Sequence, residues 1–124
     1  MSNYLPPKLI AEIGCNHKGN FDIAKDLIKI ASNCNVDVVK LQKRNSKELL
    51  SQEQYKAPHP NPMHSYGQTY GEHREFLEFN LQQHKDLKDY SESLGLIYST
   101  SVWDVTSANE IISLKPALIK VPSA

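Results

Sequence analysis

Glu12, Lys40, Gln42, Ser99, Thr100, Lys120 and Ser123 all stand at the ends of short hydrophobic runs: LIAEI, VDVVKLQ, LIYST and ALIKVPS. A carboxylate or an ammonium inside an apolar run is costly to bury unless it is paired or put to work. Two lysines beside hydroxyl groups suit a ligand that carries both a phosphate and a carboxylate. The ammoniums supply charge, and the hydroxyls and backbone amides supply directed donors. Glu12 has two readings, an ion-pair partner for one of the lysines or a group that orients substrate and moves a proton. Polar residues repeated at four successive run ends favour the second.

These residues need a frame. Residues 8–14 are an apolar run bounded by Pro6, Pro7 and Gly14, as expected of a strand buried on both faces. Asn20 can cap a helix and Asp22 suits its first turn, while Ile23, Leu27, Ile30, Ala31 and Cys34 recur at helical spacing. Residues 36–41, VDVVKL, are rich in β-branched side chains and read as a second strand, parallel to the first. Residues 43–72 carry Pro58, Pro60, Pro62, Gly67 and Gly71 without a sustained period. They predict a long loop with one helical turn near residues 46–50, either a cover over a site or a solvated insertion. Apolar residues return at Leu77, Leu81, Leu87, Tyr90 and Leu94, which predicts one crossover helix over 73–94 with Gly95 at its end. Residues 96–100 make a third strand. Asp104 or Ser107 opens a third helix, with Ser107 and Glu110 spaced as a capping box and Trp103 packed beneath it. Residues 117–121 make a fourth strand.

Four strands separated by three helices are the α/β signature of a parallel sheet, shared by open doubly wound sheets and by barrels. Polar groups converging on the C-terminal ends of successive strands favour the barrel, where such groups ring one mouth. The 124 residues allow one domain or part of one. Fourteen basic and fourteen acidic residues leave a formal charge of zero, so the whole-molecule field does not attract nucleic acid or an anionic membrane. The sequence has neither a run long enough to span a bilayer nor a signal-peptide pattern, which makes cytoplasmic localisation the expectation. Cys15 and Cys34 are then free thiols, with Cys15 a packing residue.

The string IAEIGCNHKGNFDIAKDLI followed by VDVVKLQKR resembles the opening of the N-acetylneuraminate (sialic acid) synthase family. YSTSVWD and IKVPSA are similar to that family's third and fourth strand ends; the middle loop matches poorly. The resemblance implies the first half of a (β/α)8 TIM barrel, with residues 1–124 the N-terminal part of the barrel domain, cut after strand 4. It further implies a metal-dependent condensation of phosphoenolpyruvate with an N-acetylated aldose such as N-acetylmannosamine, with release of phosphate. Synthesis of legionaminic or pseudaminic acid is the related alternative. By position, Glu12 matches the family's carboxylate near the sugar and the attacking water. Lys40, Thr100, Lys120 and Ser123 match the phosphoenolpyruvate grip, and Gln42 and Ser99 line the same site. The divalent metal, Mn2+ or Mg2+, is expected to take its histidine ligands from later strands outside this chain, and the full enzyme to be a homodimer. Asn16 and His17 are read as fixing loop geometry, and His59 with His64 lack the further ligands of a metal clip. On this reading the isolated chain is inactive. A self-standing half barrel that binds an anion or another chain is the alternative of a different class.

Overall fold

The computed structural model describes residues 4–123. Four parallel strands, β1 (Ile10–Gly14), β2 (Val38–Lys43), β3 (Ile97–Val102) and β4 (Leu118–Lys120), form one sheet in the order β1-β2-β3-β4. Each connection therefore returns to the neighbouring strand, and the strand order never reverses, as it does at the switch point of a doubly wound sheet. Helix α1 (Phe21–Asn33) starts where the sequence predicts, since the Asn20 side chain accepts from the Asp22 and Ile23 amides. Helix α5 (Leu81–Ser93) ends at Gly95, whose φ of 76° permits a paired closure: Gly95 N–H donates to the Glu92 carbonyl and Leu96 N–H to that of Ser91.

The core lies on one face of the sheet. Ile13, Val39, Leu41 and Tyr98 pack there against Ala24, Ile28 and Ala31 of α1 and Leu87 of α5. Beside them His84 of α5 is buried and shares a 2.5 Å hydrogen bond, through Nδ1, with the Tyr98 hydroxyl. Burial pushes the His84 imidazole down to about 3 and the Tyr98 phenol up. Both are therefore neutral.

Three expectations need correction. The long loop over 43–72 is largely folded: it holds α2 (Ser46–Leu49), α3 (Gln52–Lys56), a 3-10 turn at Pro62–His64 and the start of α4 (Tyr70–Phe76). These pieces are too short to show a hydrophobic period, and local caps hold them, Asn45 for α2, Ser51 with Gln54 for α3 and Thr69 with Glu72 for α4. The single helix expected over 73–94 is two, α4 and α5, because Asn80 and Gln83 form a capping box that restarts the helix while Phe79 turns into the core. Finally, α6 (Val105–Ser113) is capped by Asp104, which accepts from Ser107 N–H at 2.7 Å. Ser107 lies inside the helix, and Glu110 pairs with Lys43 at 3.3 Å instead of closing a capping box. Among the described residues, no helix is long and apolar enough to cross a membrane.

Candidate functional site

Side chains alternate along a strand, so register decides what meets what. Glu12 is opposite Lys40, Lys40 opposite Ser99, and Gln42 opposite Ser101, which is itself opposite Lys120. These residues share the face of the sheet that faces away from the core. The Glu12 carboxylate is ion-paired through Oε2 with Lys40 Nζ, and its Oε1 accepts from Gln42 Nε2 at 3.3 Å. Lys40 Nζ also donates to Ser101 Oγ at 3.0 Å. Glu12, Lys40, Ser99, Leu118 and Lys120 line a cavity of about 490 Å3 on this face. The Lys40 side chain is only 10% exposed and that of Glu12 is 48%, so the carboxylate is the half of the pair open to a ligand.

Local backbone explains the aim of Glu12. Between Glu12 and Gly14 the pairing with β2 slips, so Ile13 is an extra residue and the strand end kinks. Gly14 closes the bulge at φ 55°, a left-handed conformation, and a Cβ placed there would lie 3.3 Å from Glu12 Oε1. Beyond it His17 stacks on Phe79 at 4.2 Å between ring centroids, and its Nδ1 accepts from Gly19 N–H at 3.0 Å. That agrees with the loop-fixing role expected of it. Burial pushes the His17 imidazole down to about 4.

The structure gathers Glu12, Lys40, Gln42, Ser99 and Lys120, and it separates Thr100. Thr100 pairs in register with Leu41 and Ile119 and so points to the core side, where its Oγ1 is buried without a partner among the described residues. Ser101, one residue further, shares the face of Glu12 and Lys40 and accepts from Lys40 Nζ. Parity was the available signal: Ser99 and Ser101 face one way and Thr100 the other. Ser123 lies exposed just past β4. Trp103, expected beneath α6, is 38% exposed, and its indole N–H donates to Gln42 Oε1 at 2.7 Å.

Just past the C-terminal end of β2, Arg44 gathers a second charged group. Its Nε donates to Glu78 Oε1 at 3.2 Å, its backbone N–H to Glu78 Oε2 at 3.0 Å, and its Nη2 to Cys15 Sγ at 2.8 Å. Burial pushes both the Cys15 thiol and the Glu78 carboxyl up, against the pull of the Arg44 charge. Cys15 is thus held as a thiol, in keeping with a packing role; Cys34 is a free thiol on the surface. Among the described residues no three His, Cys, Asp or Glu side chains form a group that could hold a metal ion.

Chemically, the arrangement offers two cationic side chains, two hydroxyls and one half-open carboxylate at the ends of adjacent strands. That is a cradle for a doubly anionic ligand beside a group able to accept or give a proton. The mouse N-acetylneuraminate-9-phosphate synthase is 36% identical over 118 residues, which are 95% of this chain and 33% of the mouse protein. The N,N'-diacetyllegionaminic acid synthase of Campylobacter jejuni is 30% identical over 93% of this chain and 34% of its own length. The chain thus spans about one third of the curated relatives it matches. A crystal structure of N-acetylneuraminic acid synthetase from Leptospira borgpetersenii superposes with a TM-score of 0.74 over 98% of this chain and 39% of that one, at 21% identity, and shares its fold. Residues 27–124 match the NeuB family, and the chain belongs to that family.

Proposed function

We propose that this chain is the first half of a (β/α)8 barrel in a synthase that condenses phosphoenolpyruvate with an acetamido sugar and releases phosphate. The carrying observation is the set Glu12, Lys40, Ser101 and Gln42, joined side chain to side chain across β1, β2 and β3 from mid-strand towards their C-terminal ends. The sequential strand order and the single helix-covered core face support the barrel, whose working groups gather at that end. In this reading Lys40, Lys120, Ser101 and Ser123 hold the phosphate and carboxylate of phosphoenolpyruvate. Glu12 orients the attacking water or moves its proton. A divalent metal, Mn2+ or Mg2+, would take its ligands from residues outside this chain and polarise the sugar aldehyde. The working protein is proposed to be a cytoplasmic homodimer.

The acceptor follows from carbon counting. Phosphoenolpyruvate supplies the first three carbons of the product, so carbon 9 of a nonulosonate is carbon 6 of the sugar. The relative at 36% identity is named for a 9-phosphate product, and the legionaminic acid relative stands at 30%. N-Acetylmannosamine 6-phosphate is thus favoured over the unphosphorylated sugars.

The test is phosphate release by the complete gene product from phosphoenolpyruvate and Mn2+ with each acceptor, together with the Lys40→Met variant. Loss of one buried charge-assisted contact to the anion should lower kcat/KM for phosphoenolpyruvate by roughly a hundredfold or more. Absence of turnover with any acetamido sugar would sink the proposal. The 124-residue chain alone is proposed to be inactive, and phosphate release by it would overturn that part.

A further inference from the structure

We infer that Trp103 is a positioning residue for Glu12, acting through the amide of Gln42; the inference rests on the synthase reading above. A primary amide can present either its oxygen or its NH2 to a neighbour, and rotation by a half turn exchanges them. Here both ends meet groups without that freedom. The indole N–H can only donate, and it lies 2.7 Å from Gln42 Oε1. An ionised carboxylate can only accept, and Glu12 Oε1 lies 3.3 Å from Gln42 Nε2. The indole therefore commits the amide oxygen, which commits the NH2 to Glu12. With Oε1 so engaged, the other carboxylate oxygen is turned to Lys40, which in turn donates to Ser101. One donor at the rim thus sets the orientation of two side chains, Gln42 and Glu12, on adjacent strands.

The indole is itself fixed. The Trp103 backbone N–H donates to the Lys43 carbonyl at 3.3 Å, just beyond β3. The Arg44 guanidinium stands 5.6 Å from the centre of its ring, and Glu78 anchors that guanidinium. Trp103 remains 38% exposed and lies outside the core cluster. Packing therefore gives no account of a tryptophan here, whereas the single donor does.

The experiment compares Trp103→Phe, Gln42→Met and the double variant in the complete gene product. Phenylalanine keeps an aromatic ring for Arg44 and removes the N–H together with the second ring of the indole. The expected result for Trp103→Phe is a fall in kcat of roughly tenfold or more, from one hydrogen bond to a charged group being mis-set. KM for phosphoenolpyruvate should stay within about twofold, because the lysines and Ser101 are untouched, and the urea midpoint should not move. The decisive readout is non-additivity: if the indole acts through the amide, Trp103→Phe costs nothing further once Gln42 is methionine. Independent losses that multiply, or an unchanged kcat in Trp103→Phe, overturn the inference while leaving the synthase reading intact. A wild-type protein without condensation activity instead removes that reading, and the inference with it. If Trp103→Phe does not fold, Trp103→His keeps a ring donor; a kcat above that of Gln42→Met supports the inference, and one equal to it overturns it.

Discussion

The two faces of this sheet are built from alternate residues of the same strands, and they have opposite physics. On the helix-covered face Ile13, Val39, Leu41 and Tyr98 are buried against aliphatic side chains of α1 and α5. On the other face Ile10 is 50% exposed and Leu118 42%, and between them lies the Glu12, Lys40, Ser101 set. Val39 and Lys40 are chain neighbours with these two fates. The covered face holds its shape through volume and exclusion of water. The open face uses directed charges and hydroxyls, which cost stability unless each has a partner. Damage to the covered face should therefore appear as lost stability, and damage to the open face as lost chemistry.

The largest expected effect tests the covered face. Ile28→Ala removes a fully buried side chain from α1, and such truncations cost about 2–5 kcal/mol. Urea unfolding should register that loss, and a change below about 1 kcal/mol would mean that α1 is not the main support of the sheet.

Acid should also act through the covered face. His17 and His84 are held neutral by burial, down to about 4 and about 3, whereas an unfolded imidazole takes its proton near pH 6.5. Between those values the unfolded chain binds protons that the folded one refuses, so stability falls as pH drops below about 6.5 and keeps falling to about 4. The slope is on the order of 1 kcal/mol per pH unit for each imidazole. Glu78, whose carboxyl is raised by burial, works in the opposite sense, while the more exposed His73, also lowered by desolvation, adds to the two buried imidazoles. Unfolding curves at pH 7.0, 5.5 and 4.5 measure the balance. A flat profile would place both imidazoles in contact with water.

How much of this the sequence carried follows the same division. The strands, α1 and the Gly95 closure were legible because periodicity and caps are local signals. The polar residues at the strand ends were legible because a charge in an apolar run is conspicuous. Strand ends were less so: β2 and β3 each run two residues past their expected limits, to Lys43 and Val102. The helices α2 to α4 are held by contacts that no periodicity records, such as Tyr55 lying against Gly71 and Tyr70 N–H donating to the Ala57 carbonyl at 2.7 Å. The bond from Trp103 to Gln42 could not be read for the same reason, since the two are 61 residues apart.

The smallest expected effect bears most directly on the division of the faces, because it sets two adjacent hydroxyls against each other. Thr100 Oγ1 is buried on the covered side without a partner among the described residues, so Thr100→Val removes an unsatisfied group and keeps the shape. Stability should be unchanged or higher by up to about 1 kcal/mol, with kcat and KM unaltered. Ser101→Ala takes from Lys40 its hydroxyl acceptor on the open side. The lysine stays paired with Glu12, so the fold should tolerate the change within about 1 kcal/mol, while KM for phosphoenolpyruvate rises by about tenfold. The reverse outcome, with Thr100→Val the damaging variant, would mean that β3 presents the other set of side chains to the mouth. That would require a one-residue slip of β3 against β2, which would also take Ser101 out of reach of Lys40 and bring Tyr98 and Val102 onto the open face.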